Sequence, residues 1–311
     1  MQAKRRLPWA LNHDSKSLHF GFLRSISEKF RRFVCKQNVS GNRINDKHQT
    51  MTDEIKKELL RLELQHDIKI LYAVESGSRA WGFASTDSDW DVRYIYIHRL
   101  DWYLKIDDKK DNQEEILPND IDLAGWELKK ALRLFRKSNP PMLEWLRSPI
   151  VYLQQFTTAD KLRDLTKEYF NPKSCLHHYL HMAEGNYQAY LLKDNVRVKK
   201  YFYVLRPILA CDWIMQTNTM APMEFHKLLD SQVTDLNVKT EIQNLLIRKM
   251  AGEELNEEPK IQILNDFLEQ KIQFYSNYVK SLGQILQPDT ERLNELFKQT
   301  IYEAWDKNGS H

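Results

Sequence analysis

Residues 75–91 read Glu75-Ser76-Gly77-Ser78-Arg79-Ala80-Trp81-Gly82-Phe83-Ala84-Ser85-Thr86-Asp87-Ser88-Asp89-Trp90-Asp91, and this stretch decides the fold. An apolar β-forming run, Ile68 to Val74, leads into it. A second run rich in β-branched and aromatic residues, Asp91 to His98, leads out. A strand therefore ends near Gly-Ser, a turn follows, and two aspartates stand one residue apart where the next strand begins. Side chains at i and i+2 of a strand share a face, so Asp89 and Asp91 are expected to converge, whereas Asp87 precedes the strand. Two carboxylates this close repel each other, and a hard divalent cation relieves the repulsion. Gly77 lets the backbone pass close to a phosphate, and the Ser78 hydroxyl with nearby N–H groups suits phosphate oxygens. Phosphate and metal side by side is the arrangement that two-metal phosphoryl or nucleotidyl transfer requires. Gly-Ser alone, or Asp-x-Asp alone, is common in turns and exposed strands. The specific signal is the pair, with Asp89 11 positions after Ser78 and a strand on either side.

Outward from this stretch the pattern is uneven. Upstream, residues 53–64 carry Leu59, Leu60 and Leu64 among charges and predict an amphipathic helix, with Thr52 or Asp53 as its cap. Downstream, the polar segment Asp107 to Asn119 reads as a mobile loop, and a short third strand is expected around Ile121 to Leu123. After Trp126 the chain turns helical: 126–137, 140–147, 157–169, 173–193, 196–217, 236–250, 260–284 and 288–305. Asn139-Pro140-Pro141 marks a helix start, with Asn as cap and proline in the first turn. The expected architecture is an α/β head at 51–150 and an α-helical domain at 151–311.

The first 50 residues stand apart. They hold 11 Lys and Arg against 3 acids, a net charge of +8, so the rest carries −5 of the chain's +3. Such composition belongs to a basic arm without a fold of its own, or to an organellar transit peptide, and Met51 is itself a candidate start. No run approaches the roughly 18 apolar residues of a membrane span. Cys35, Cys175 and Cys211 are odd in number and not in metal-ligand spacing, which predicts a reducing, cytoplasmic setting without disulfides or zinc.

The Gly-Ser and Asp-x-Asp combination resembles the polymerase-β nucleotidyltransferase superfamily. Three longer runs sharpen this: ESGSRAWGFASTDSDWDVRYIYI, DLAGWELKKALRLFRKSNPPMLEWLRSPIVY and VKKYFYVLRPILACDWI. They are similar to the RNA-ligase-associated branch, the RNA-repair-pathway DNA-polymerase-β family, over about residues 52–300. The resemblance implies a polymerase-β-type head, a helical domain behind it and an active site in the cleft between them. It implies attack of a hydroxyl on the α-phosphate of a nucleoside triphosphate with release of pyrophosphate, served by two Mg2+ ions or by Mn2+ in their place. It also implies a third carboxylate from a later strand; Asp120 and Asp122 both offer one, and Asp122 matches the family position before Leu-Ala-Gly-Trp. The implied acceptor is an RNA 3′ end, with an RNA ligase as partner. A protein hydroxyl, a small-molecule acceptor and a non-catalytic nucleotide-binding scaffold are the alternatives.

Further candidates lie in both halves. At helical spacing Val198, Phe202, Leu205, Leu209 and Trp213 form one stripe, with Lys199, Tyr203 and Arg206 on its flank and Lys200 pointing away. Lys199 and Arg206 are thus placed either to reach triphosphate oxygens or to snorkel at the core edge, and the resemblance favours the first without separating Lys199 from Lys200. Pro207 is expected to kink that helix. Arg79 is a triphosphate contact or an ion-pair partner of Glu75. His177 and His181, one turn apart without a third ligand, read as a solvated face. Trp81 and Phe83 are expected to pack beneath the turn. The metal set is then Asp89, Asp91 and Asp122, and the nucleotide set Gly77, Ser78, Arg79, Lys199 and Arg206.

Overall fold

The computed structural model describes residues 41–107, 109–283 and 288–306, with side chains from 49 onward. The basic arm up to residue 40, with Cys35, lies outside the described residues. The chain divides into Met1–Asn45 and Asp46–His311, and the core and every candidate site residue belong to the second unit.

Helix α1 (Gly41–His66) begins well before the expected cap at Thr52 or Asp53, because nothing in residues 41–52 breaks a helix. Its buried apolar positions are Ile55, Leu59 and Leu62, while Leu60 and Leu64 are exposed. The i, i+4, i+7 row wins because it is the row that meets the sheet. Burying such a side chain contributes about 1.5–3 kcal/mol each.

That sheet contains β1 (Ile68–Glu75), β2 (Trp90–His98), β3 (Asn112–Leu117), β4 (Ile121–Glu127) and β5 (Val151–Gln154). Helical turns α2 (Ser78–Trp81) and α3 (Leu100–Tyr103) interrupt the connections. The strand order is β3-β4-β2-β1-β5. Only the β2–β4 pairing is parallel, and the others are antiparallel. One face packs Trp90, Val92, Tyr94, Ile121 and Leu123 against α1. Strand alternation therefore turns Asp91, Arg93, Asp122 and Ala124 to the opposite face. Gly125 sits on the packed face, where a Cβ would stand 2.2 Å from the Tyr94 ring.

The segment expected to be a mobile loop contains β3, whose polar sequence suits an edge strand exposed to water. Behind the sheet come α4 (Leu128–Arg136), α5 (Pro140–Trp145), α6 (Thr158–Tyr169), α7 (Pro172–Tyr190), α8 (Tyr201–Thr217), α9 (Phe225–Gln232), α10 (Leu236–Met250), α11 (Gln262–Ser281) and α12 (Glu291–Trp305). The Asn139 side chain caps α5 by accepting from the Met142 N–H at 3.2 Å. The helix expected over 196–217 is shorter than its apolar stripe. Asn195–Arg197 forms β6, paired with β7 (Glu257–Pro259), and Val198–Lys200 is a 3-10 turn. The Val198 N–H donates to the Asn256 carbonyl at 3.1 Å, so it is not available to a longer helix. Helix α8 itself runs through Pro207. Among the described residues no helix is long and apolar enough to cross a membrane, and Cys175 and Cys211 are free and buried.

Candidate active site

Strand β1 delivers the chain to the Gly-Ser turn, and buried Glu75 fastens that turn to the acid strand. Its Oε1 accepts from the Asp91 N–H at 3.0 Å and the Gly77 N–H at 3.3 Å, and its Oε2 from the Tyr152 hydroxyl at 2.5 Å. Burial pushes the Glu75 carboxyl above the usual carboxylate range. The Ser76 N–H donates to the Asp91 carbonyl at 2.9 Å. Gly77 lies so close to Asp91 that a Cβ on it would stand 1.7 Å from the Asp91 Oδ2. The turn then closes through α2, with the Trp81 N–H on the Gly77 carbonyl and the Phe83 N–H on the Ser78 carbonyl.

Parallel register sets Asp91 of β2 directly beside Asp122 of β4. Asp120 stands outside this pairing, exposed in the turn before β4 at a φ of 58°. Asp89 precedes the first residue of β2 by one position and is exposed, so strand alternation does not apply to it as expected, yet it lines the same cavity as Asp91. Burial pushes the Asp91 carboxyl up, the Arg93 guanidinium opposes this, and the negative charges of Asp122 and Asp89 add to it. Arg93 is the residue that motif reading missed. Its Nη2 donates to the Asp122 Oδ2 at 2.8 Å and the Asp91 Oδ1 at 3.2 Å, and its Nη1 to the Asp122 carbonyl at 2.9 Å. The signal was present: Arg93 is at i+2 from Asp91 and shares its strand face.

Among the described residues no three acidic, imidazole or thiol groups form a ready-made metal cluster. The donor set nonetheless suits a hard cation. It offers carboxylate oxygens alone, and their mutual repulsion at Asp91 is already met in part by one positive group.

The cavity, of about 420 Å³, is lined by Gly77, Ser78, Asp87, Asp89 and Asp91 together with Lys199, Tyr203 and Lys249, whereas Asp122 lines the neighbouring cavity, and Arg93 borders both. Lys249 lies in the last turn of α10, 164 positions after Ser85, whose hydroxyl is 3.4 Å from the Lys249 Nζ; burial lowers the Lys249 pKa. No local pattern marks it. Lys199 faces the cavity from the 3-10 turn, whereas Lys200 sits over the Tyr190 and Tyr203 rings at 4.3 and 4.7 Å.

Two nucleotide-set arginines are placed differently from expectation. Arg79 stacks on Trp90 at 3.7 Å and donates to the carbonyls of Ser88 (2.5 Å) and Asp89 (3.2 Å), pinning the loop that carries Asp89. Arg206 is buried, 5 % exposed, because α8 turns its side chain into the helical body. There it pairs with Glu144 at 3.0 Å and supports the Trp81 ring at 4.8 Å, outside the cavity lining. Glu144→Gln is accordingly expected to cost about 3–5 kcal/mol, since it leaves a buried guanidinium unpaired. Urea denaturation measures this, and an unchanged midpoint would contradict a structural role for the pair. Trp81 and Phe83 pack beneath the turn, Phe83 against Phe202 at 4.9 Å and Phe225 at 5.5 Å. His177 and His181 are exposed.

A mixed sheet with its acid strand beside a Gly-Ser turn, backed by helices, defines the polymerase-β-type nucleotidyltransferase fold. Residues 51–299 match the RNA repair pathway DNA polymerase beta family, and the chain belongs to that family. It is 47% identical over 260 residues to YcgL of Bacillus subtilis (strain 168), an uncharacterized protein; the match covers 84% of this chain and 100% of YcgL. Among solved structures it is similar to a nucleotidyltransferase-like protein from Exiguobacterium sibiricum 255-15, at 10% identity and a TM-score of 0.29, covering 78% of this chain and 87% of the other.

Proposed function

We propose that this chain transfers a nucleoside monophosphate from a nucleoside triphosphate to the hydroxyl of an RNA 3′ end, releasing pyrophosphate. The observation that supports it most is the Asp91 carboxylate seated against Gly77 and beside Asp122, facing Lys199 and Lys249 across one cavity. The acceptor oxygen forms a bond to the α-phosphorus as the bond from that phosphorus to the bridging oxygen breaks. The attacking hydroxyl must lose a proton, and Asp122 is the carboxylate we assign to receive it. Ser78 and the amides of its turn hold phosphate oxygens. Lys199 and Lys249 face the negative charge that grows on the pyrophosphate. Arg93 keeps Asp91 and Asp122 at a fixed spacing. Two magnesium ions, replaceable by manganese, would be held by Asp89, Asp91 and Asp122, lowering the pKa of the hydroxyl and neutralising the leaving group. Membership of an RNA-repair family supports RNA as the acceptor, and the partner we propose is an RNA ligase.

The test offers α-labelled nucleotides and magnesium to the enzyme alongside total RNA, total protein and a small-metabolite extract. Label is expected in RNA. Label in protein or metabolites with none in RNA would overturn the acceptor, and label nowhere would leave a nucleotide-binding scaffold. Lys199→Ala and Lys249→Ala are each expected to lower kcat/KM for the nucleotide about 100-fold. Steady-state kinetics on variants with parental melting temperatures decides this, and unchanged constants would remove either lysine from the site.

A further inference from the structure

We infer that a basic pocket at the far end of the sheet grips the backbone of the acceptor strand, several nucleotides upstream of the reacting end. The inference rests on the reading of RNA as acceptor. A cavity of about 430 Å³ opens where α3, the loop after it and the start of α4 meet. Its walls bring Lys105, Lys109, Lys110, Lys129 and Arg133 together with the indole of Trp102. Three acids share the lining, but two are engaged. Asp111 pairs with Lys130, outside the lining, at 2.9 Å. Glu127 caps α4 through the Lys129 N–H at 2.8 Å and accepts from the Tyr103 hydroxyl at 2.5 Å. Among the described residues this leaves five cations against Asp107 and Glu127, whose hydrogen bonds do not remove its charge. A concave positive surface beside an indole suits the phosphates and bases of a single strand. Trp102 is held for such contact, parallel to His98 at 4.1 Å and edge-on to Tyr103 at 5.0 Å.

The position matches the reaction. Asp122 and Glu127 lie on the same strand, β4, about 17 Å apart along it at about 3.4 Å per residue. The odd spacing turns their side chains to opposite faces, so the pocket is reached at the end of the sheet and not across the acid face. A stacked strand rises about 3.4 Å per nucleotide, so roughly five nucleotides bridge the reacting hydroxyl and the pocket. Edge strand β3 runs between the two ends, with Glu114 and Ile116 exposed. Beside Asp122 another cavity, of about 540 Å³, is lined by Glu114, Glu115 and Ile116. Arg93, which also lines it, is paired with Asp122 at 2.8 Å, and Glu115 with Arg61 at 2.8 Å, so Glu114 is left over and the electrostatic grip falls at the far pocket.

The experiment measures transfer to single-stranded RNAs of graded length with the full chain and the Lys105→Glu/Lys109→Glu/Lys110→Glu variant. For the parent, KM is expected to fall about tenfold or more as the acceptor grows from roughly two to roughly eight nucleotides, then level off. The variant should raise KM for the longer RNA about tenfold while moving that of a dinucleotide less than about twofold. Its log KM against log salt should be flatter by about 2, since each phosphate contact on a single strand contributes about 0.7. Lys56→Glu/Lys57→Glu/Lys167→Glu makes the same charge change on exposed residues outside the pocket, with an expected effect below about twofold. Parental KM and salt slope in the pocket variant, or an equal effect from the control, would overturn the inference while leaving an RNA acceptor standing. A parent that labels no RNA of any length would overturn the reading beneath it, and the inference too.

Discussion

Asp91→Asn is expected to lower nucleotidyl transfer by about 1000-fold or more while the protein keeps its fold. Asp91 is the acid on which every local constraint meets. Its amide N–H is held by Glu75, its carbonyl by Ser76, and its carboxylate lies between Gly77 and Arg93. Asparagine keeps those backbone bonds and nearly the same volume, so the core beneath β2 is undisturbed. What it removes is the negative charge, one of the two charges that Arg93 spans. The proposed function assigns that charge to a metal ion, so the loss should appear in kcat and not be rescued by more nucleotide. Asp122→Asn should behave similarly, because register makes the two acids neighbours. Single-turnover transfer of label, read beside the thermal melt, decides it. Near-parental turnover by Asp91→Asn with magnesium would falsify the catalytic assignment.

Gly77→Ala is expected to be nearly as damaging, about 100-fold or more in transfer, by a purely steric route. The φ of Gly77 is −90°, so no left-handed backbone calls for glycine here. The requirement comes from the neighbour. A methyl group would stand 1.7 Å from the Asp91 Oδ2 and 2.5 Å from its Cγ, far inside contact distance. The Asp91 carboxylate is the part free to move, since its backbone is fixed in β2. Rotating it away relieves the two shortest contacts and breaks its contact with Arg93 and its place beside Asp122. A small shift of the turn meets the remaining 2.9 Å approach to the Asp91 Cβ. The expected signature is therefore a folded protein with a melting temperature within a few degrees of the parent and little transfer. A crystal structure of the variant should show the Asp91 side chain turned from its present position. Full activity, or an undisplaced Asp91, would show that the close approach of turn and acid is not needed.

Much of this site was legible because its parts are local. Gly77, Ser78, Asp89 and Asp91 lie within 15 consecutive residues, and strand periodicity sets the face of Asp91, while Asp89 stands one position before β2. Arg93 could have been read from the same periodicity, and was missed because a basic residue beside two acids does not belong to the motif. The choice of Asp122 over Asp120 was open in the residues themselves, since either can end a polar stretch. The family resemblance favoured Asp122, and the parallel register of β4 on β2 sets it, and not Asp120, beside Asp91.

The helical half was read less well for a physical reason. Apolar spacing marks a helix but does not say where its first hydrogen bond forms. The stripe from Val198 onward therefore concealed a strand pairing with residues about 60 positions away. For the same reason Arg206 read as a cleft residue, whereas packing turns it to Glu144, and the long-range partner Lys249 had no local signal. By itself the sequence determined the strand–turn–strand and the helix-rich remainder, because those follow from short-range backbone sterics and the burial of periodic apolar side chains. Tertiary structure alone decided that β4 runs parallel beside Asp91, that Lys249 joins Lys199 at the cavity and that Arg206 is buried. Those choices depend on strand register and helix packing, where segments distant in the chain share one solvent-excluded space.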